Sequence, residues 1–221
     1  MPVAARCGLA MLPGLLAALT LSLPGVAAGA DTPLDRYLSG LQSLRAEFTQ
    51  VVVDARGQEI ERGAGLLAVQ RPGRFRWEYA PRAAGADAGQ LLVADGRNLW
   101  FFDRELAQVT VKPVDEALSA TPIVLLSGTA AELAAAFTIE PAPRAAGLDW
   151  VRVTPRSASA DFAQAQLAFK GATLARMVIS DRLGQTVTLQ FGRSVRNAAL
   201  PATQFQFEPP PGVDVIGSVQ R

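Results

Sequence analysis

The sequence predicts a mainly β (α+β) protein built on one large antiparallel sheet with short helices laid over it. Three observations carry this. From Ala46 onward apolar residues recur at every second position for most of the chain, the period of a strand with one face buried. Tight-turn pairs, Arg56-Gly57, Asp95-Gly96, Lys170-Gly171 and Leu183-Gly184, separate the alternating runs, and Asp-Gly between two apolar runs is the strongest short hairpin signal. Strands do not alternate with long helical patterns, as the βαβ units of a parallel sheet would require.

The first 30 residues are set apart as an export signal. Arg6 supplies a positive start, Leu9 to Leu23 is a nearly unbroken apolar run, Pro24-Gly25 breaks it, and Ala28-Gly29-Ala30 is a small-residue cleavage site. That run is shorter than the ~20 residues of a spanning helix. The expectation is a cleaved signal over 1–30, a single domain over 31–221 that begins near Asp31, and a periplasmic address. Cys7 is the only cysteine, and it lies in the signal, so the mature domain is expected to stand on its own core without disulfides. Removing Arg6 leaves Lys+Arg equal to Asp+Glu. A net charge of zero offers no long-range field toward nucleic acid or an anionic membrane, and no nucleic-acid partner is expected.

Missing residue types narrow the function. There is no histidine and no mature cysteine, which removes the commonest general base, transition-metal ligand and thiolate nucleophile. No nucleophile-elbow motif is present. The expectation is a protein that is not an enzyme and holds no metal or cofactor.

Taken in order, Thr32-Pro33-Leu34-Asp35 reads as a capped helix start, and Leu34, Tyr37, Leu38, Leu41 and Leu44 follow at helical spacing, which predicts an apolar-faced helix through Leu44. Strands are predicted over Ala46–Asp54, Glu59–Gln70, Arg74–Tyr79, Gln90–Ala94, Asn98–Asp103 and Leu106–Val111. A further set is predicted over Phe137–Glu140, Asp149–Thr154, Phe162–Lys170, Leu174–Ser180, Gln185–Ser194 and Thr203–Phe207. Pro81 to Gly89 reads as a long hairpin loop.

Two stretches stand out. In Arg71-Pro72-Gly73-Arg74-Phe75-Arg76-Trp77-Glu78-Tyr79 strand alternation puts Phe75, Trp77 and Tyr79 on one face and Arg74, Arg76 and Glu78 on the other. From Val114 to Ala136 the meander is interrupted: Asp115-Glu116 starts a short helix, Thr121-Pro122 restarts the chain, Ile123 to Leu126 is wholly apolar, and Ser127-Gly128 stops it before an Ala/Leu helix. Helices below ~12 residues are marginal alone in water, so these pieces must dock on the sheet, and an element held only by docking can also undock.

Four motifs in series resemble a known family, the periplasmic outer-membrane lipoprotein carrier proteins (LolA). They are Arg71-Pro72-x-x-Phe75-x-Trp77, Val93-Ala94-Asp95-Gly96-Arg97-Asn98-Leu99-Trp100-Phe101-Phe102, Thr121-Pro122-Ile123-Val124-Leu125-Leu126, and Phe207-Glu208-Pro209-Pro210-Pro211-Gly212-Val213. The resemblance implies an incomplete, strongly curved antiparallel β-barrel covered by short lid helices around a hydrophobic cavity. It implies a periplasmic chaperone that takes acylated lipoproteins from an inner-membrane ABC-type release complex to an outer-membrane lipoprotein receptor. It also implies that Arg71 is a latch to the lid and that Phe75 meets the release complex.

On this basis Leu38, Leu41, Phe75, Trp77, Trp100, Phe102, Ile123, Leu125 and Leu126 are the expected acyl-chain contacts, with Leu99 and Phe101 the alternative to Trp100 and Phe102 if the hairpin parity is opposite. Arg74 and Arg76, with Phe75, are the expected partner-docking residues, and a monomer is expected. A lipid-sensing regulator of the same fold is the competing reading and would need a second domain. The relay's receptor would need a cysteine at the cleavage site, where this chain has Ala30-Asp31.

Overall fold

The computed structural model describes residues 31–80, 89–114, 122–158 and 160–220. The export signal, the Asp115-Glu116 helix start, Thr121 and most of the Pro81–Gly89 loop lie outside the described residues. Twelve strands form one open curved sheet in the order β12-β6-β5-β4-β3-β2-β1-β11-β10-β9-β8-β7. The strands are β1 (Ser43–Val53), β2 (Glu59–Gln70), β3 (Arg74–Tyr79), β4 (Gln90–Asp95), β5 (Asn98–Asp103) and β6 (Gln108–Pro113), then β7 (Phe137–Ala145), β8 (Leu148–Pro155), β9 (Gln164–Lys170), β10 (Thr173–Ser180), β11 (Thr186–Arg196) and β12 (Asp214–Gly217). Every neighbour pair is antiparallel except β12 with β6. β7 forms one edge and carries Pro141 and Pro143, residues that an edge tolerates because no ladder donor is needed on its open side.

The strand predictions hold closely for β2, β3 and β5. The first helix does not extend as expected: α1 covers Pro33–Leu38, Leu41 sits in the turn after it, and Leu44 already belongs to β1. Gly40, at φ 66, supplies the left-handed residue that ends the helix and turns the chain into the sheet. Thr32 caps α1 through a reciprocal box with Asp35. The apolar spacing continued past the helix because Leu41 and Leu44 face the same core from a turn and a strand.

Thr203–Phe207 is not a strand. Ala202–Phe205 forms a 3-10 turn, bounded by Pro201 and, further on, by Pro209 to Pro211, which have no ladder donor to give. The chain then returns as β12 beside β6, a strand that the sequence reading missed. The core divides by sheet face. The larger cluster joins α1, α2 (Val124–Ser127) and α3 (Ala130–Ala136) to the concave face. The smaller one, Leu91, Val93, Trp100, Phe102, Val109 and Val111, lies on the other face and is closed by Phe207 and Val213.

Candidate functional site

A cavity of about 510 Å³ opens in the concave face. β3 contributes Phe75, Trp77 and Tyr79, the alternate residues of one strand; β4 and β5 add Leu92 and Leu99; β10 and β11 add Met177, Ile179, Val187 and Leu189; Pro122 and Ile123 roof it. Its wall is therefore mainly apolar, with Gln50, Glu61, Gln90, Asp161, Asp181 and Gln185 as the polar members.

The aromatic wall rests on one glycine of β2, Gly65. Phe48, Gly65 and Tyr79 are in register across three strands. A Cβ on Gly65 would clash with the backbone carbonyl of Glu78 and lie 2.8 Å from the Phe48 ring. Its absence lets Phe48 lie across the strand and reach Trp77 at 4.8 Å and Tyr79 at 5.3 Å between ring centroids, distances at which aromatic pairs add favourable energy. The Tyr79 hydroxyl donates to Gln50 Oε1 at 2.9 Å, and burial, reinforced by the Glu61 charge, pushes its pKa up to about 12. Sequence reasoning missed Gly63, Gly65 and Gln50; the readable signal was a Gly-x-Gly inside an alternating strand, which marks close approach of another group.

Arg71 sits at the β2–β3 turn and reaches under the roof. Its Nε and Nη2 donate to the carbonyl of Gly128 at 3.2 and 2.6 Å, and its Nη1 donates to the carbonyls of Leu38 at 3.0 Å and Leu41 at 3.3 Å. One planar cation thus gathers carbonyls at and just beyond the ends of α1 and α2, that of Leu38 being shared with the Leu41 amide. The amide of Gly73 adds a bond to the carbonyl of Ser127 at 2.9 Å.

Several expected cavity residues stand elsewhere. Trp100 and Phe102 occupy the opposite face, where Phe207 packs on both at 5.5 and 5.8 Å. Leu99 takes the inner face in their place, because the β4–β5 turn fixes the parity. Leu38, Leu41, Leu125 and Leu126 do not line the cavity; they are buried in the joint between helices and sheet. Leu38 also borders a crevice of about 270 Å³ between α1 and α3.

Phe75 is fully buried, so it is no docking residue while the roof is in place. Arg76 is not a free outward charge, since its Nε meets Glu78 Oε2 at 3.2 Å, and Arg104 meets the other Glu78 oxygen at 2.8 Å. Burial alone would raise the pKa of Glu78, but the hydrogen bond from Arg104 and the charge of Arg76 hold it below the ordinary carboxylate value. Arg74 is exposed.

The Asp-Gly hairpin motif also has a structural reading. Asp95 accepts from the amides of Arg97 at 2.8 Å and Asn98 at 2.7 Å, and from Trp100 Nε1 at 2.8 Å. Burial would raise its pKa, yet these donors, Trp100 first, hold it down. The motif therefore locks a turn and an outer-face tryptophan rather than building the cavity.

Sheet and site together define a class: an open antiparallel half-barrel whose apolar cavity is roofed by short helices. A family model described as outer membrane lipoprotein carrier protein LolA matches residues 39–208. The chain is 39% identical over 190 residues to the outer-membrane lipoprotein carrier protein of Dechloromonas aromatica (strain RCB), covering 86% of this chain and 88% of that one. It is 38% identical over 201 residues to the protein of the same name from Methylibium petroleiphilum, covering 91% and 96%. A solved structure of an uncharacterized conserved protein from Thermus thermophilus is similar in fold, with a TM-score of 0.50 at 16% identity over 83% of this chain and 96% of that one. The chain belongs to the outer-membrane lipoprotein carrier protein family, LolA.

Proposed function

We propose that this protein carries acylated lipoproteins across the periplasm, sheltering their acyl chains in the concave cavity while α2 moves aside. The observation that carries the reading is an apolar cavity roofed by Pro122 and Ile123, at the start of a four-residue helix whose far end is held by one arginine side chain. In this reading residues 1–30 are the export signal, 31–221 act as one monomeric carrier domain, an inner-membrane ABC-type complex loads it, and an outer-membrane receptor unloads it. Phe75, Trp77, Leu99 and Ile123 are the first acyl contacts. Arg74 is the docking charge that remains on the outer face of β3.

Energetics explain why the roof matters. At ~0.8 kcal/mol per buried methylene, one acyl chain of about 14 carbons offers on the order of 10 kcal/mol, and two or three exceed the ~18 to 21 kcal/mol ceiling of non-covalent affinity. A carrier that realised all of this would never let go. Opening the roof exposes Ile123, Leu125 and Leu126, and breaks the bonds of Arg71, which offsets part of the gain. Arg71 thereby favours the closed, emptied state.

The test is transfer from membrane. Spheroplasts bearing a radiolabelled lipoprotein are incubated with the mature protein, and the supernatant is assayed. Cargo should appear there bound to the protein, and Arg71→Leu should load cargo yet retain it through hand-off. Cargo left on the membrane by the wild-type protein would sink the carrier reading. Unchanged loading and hand-off by Arg71→Leu would sink the latch.

A further inference from the structure

The two roof elements are not held alike. Five consecutive carbonyls at the end of α1, from Tyr37 to Leu41, each accept from an arginine or asparagine side chain. Arg71 takes Leu38 and Leu41. Arg196, the last residue of β11, takes Tyr37 at 2.7 Å and Ser39 at 3.3 Å, and its guanidinium lies 5.0 Å over the Tyr37 ring. Asn197 donates to the carbonyl of Gly40 at 3.0 Å and accepts from the amide of Gln42 at 2.8 Å. Its φ of 53°, a conformation asparagine tolerates better than most residues, turns the chain at this point.

α2 has far less. Among the described residues its ties to the β2–β3 turn are the two bonds from Arg71 to Gly128 and the one from the Gly73 amide to Ser127. Placement differs as well: α1 packs on β8 and β9, whereas α2 packs on β2 and sets Ile123 over the cavity beside Phe75 and Leu99.

We propose that Arg196 and Asn197 are positioning residues that fix α1 as a stationary jamb. When Arg71 releases Gly128, α2 alone swings away, and the cavity opens over β2 to β5 rather than over β8 and β9. The bonds from Arg196 and Asn197 explain the asymmetry: without Arg71, α1 keeps side-chain donors on Tyr37, Ser39 and Gly40, while α2 keeps one backbone bond to the β2–β3 turn. The inference rests on reading α2 as a movable roof, and its test separates the two.

Hydrogen exchange of the full mature chain, followed at several low urea concentrations, distinguishes local opening from global unfolding, because only the latter exposes enough surface to respond to urea. In the wild-type protein the amides of Leu126 and Gly128 should exchange by a urea-insensitive route, at least about tenfold faster than those of Ser39 and Leu41. Arg71→Leu should speed the α2 amides about tenfold further and the α1 amides by no more than about threefold. Arg196→Met should do the reverse and make α1 exchange urea-insensitive. Arg196→Lys, which keeps a cation near Tyr37 without the forked donors, should recover part of that protection.

If Arg196→Met folds poorly, Asn197→Ala carries the same expectation for Leu41 with a smaller effect. Unchanged α1 protection in both variants, or a uniform urea-dependent acceleration of the whole sheet, would overturn the jamb. An unchanged α2 in Arg71→Leu would instead overturn the movable roof, whatever α1 does.

Discussion

Trp77 and Trp100 stand on opposite faces of one sheet, two strands apart, and live in different surroundings. Trp100 is locked: its indole donates to Asp95, and Phe207 covers it from the chain's return. Trp77 is stacked by Phe48 and Tyr79 on its own face, borders the cavity, and its Nε1 makes no full hydrogen bond among the described residues, having only a weak interaction with the Tyr79 hydroxyl. Around Trp100 the outer face of β4 to β6 is a finished core, closed by Phe207 and Val213. The concave face keeps an apolar wall beside space, which is what a face must do if its second layer is to be supplied by a ligand.

The largest effect should come from the glycine under the concave wall. Gly65→Ala places a methyl group against the Glu78 carbonyl and the Phe48 ring; a backbone contact cannot move aside, so the loss should be about 3 kcal/mol or more in urea unfolding. Gly192→Ala is the control, since its Cβ would meet Glu47 at an ordinary 3.7 Å, and it should stay within about 0.5 kcal/mol.

Next come the two tryptophans. Trp100→Phe strips Asp95 of a donor and should cost about 2 kcal/mol. Trp77→Phe removes an indole N–H that makes no full hydrogen bond, and should cost under ~1 kcal/mol. Equal losses would mean that the two faces are not packed differently.

The smallest effect is a pH dependence confined to the outer face. The pKa of Asp95 is depressed in the folded protein, so its contribution is present above the unfolded value of about 3.9 and is lost as pH falls through the lower folded value. The stability difference between wild type and Asp95→Asn should be constant from neutral pH down to roughly 5, then shrink below about 4. A gap that persists unchanged at lower pH would show that Asp95 acts through shape alone.

Much of the fold was readable because period two survives wherever one face is buried, and β2, β3 and β5 were read to the residue. What failed did so for physical reasons. Leu41 and Leu44 kept a helical spacing while belonging to a turn and a strand, because burial and not helix geometry set their spacing. Thr203–Phe207 alternated like a strand, yet it lies between Pro201 and Pro209 to Pro211, which have no ladder donors, and Phe205 and Phe207 serve as plugs. At the site, alternation placed Phe75, Trp77 and Tyr79 together. It was silent on whether Trp100 or Leu99 faced inward, since a one-residue change of turn reverses every side chain after it. Gln50 and the Arg196–Asn197 pair were invisible because their partners lie on strands or turns distant in sequence.

A lipoprotein whose acyl chain carries a nitroxide quencher is loaded onto two single-tryptophan proteins, one retaining Trp77 (Trp100→Phe, Trp150→Phe) and one retaining Trp100 (Trp77→Phe, Trp150→Phe), each first shown to unfold cooperatively in urea. Strong quenching of Trp77 is expected with Trp100 nearly unaffected, since the sheet stands between Trp100 and the cavity and Phe207 covers its outer side. Quenching of Trp100 equal to or greater than that of Trp77 would contradict it.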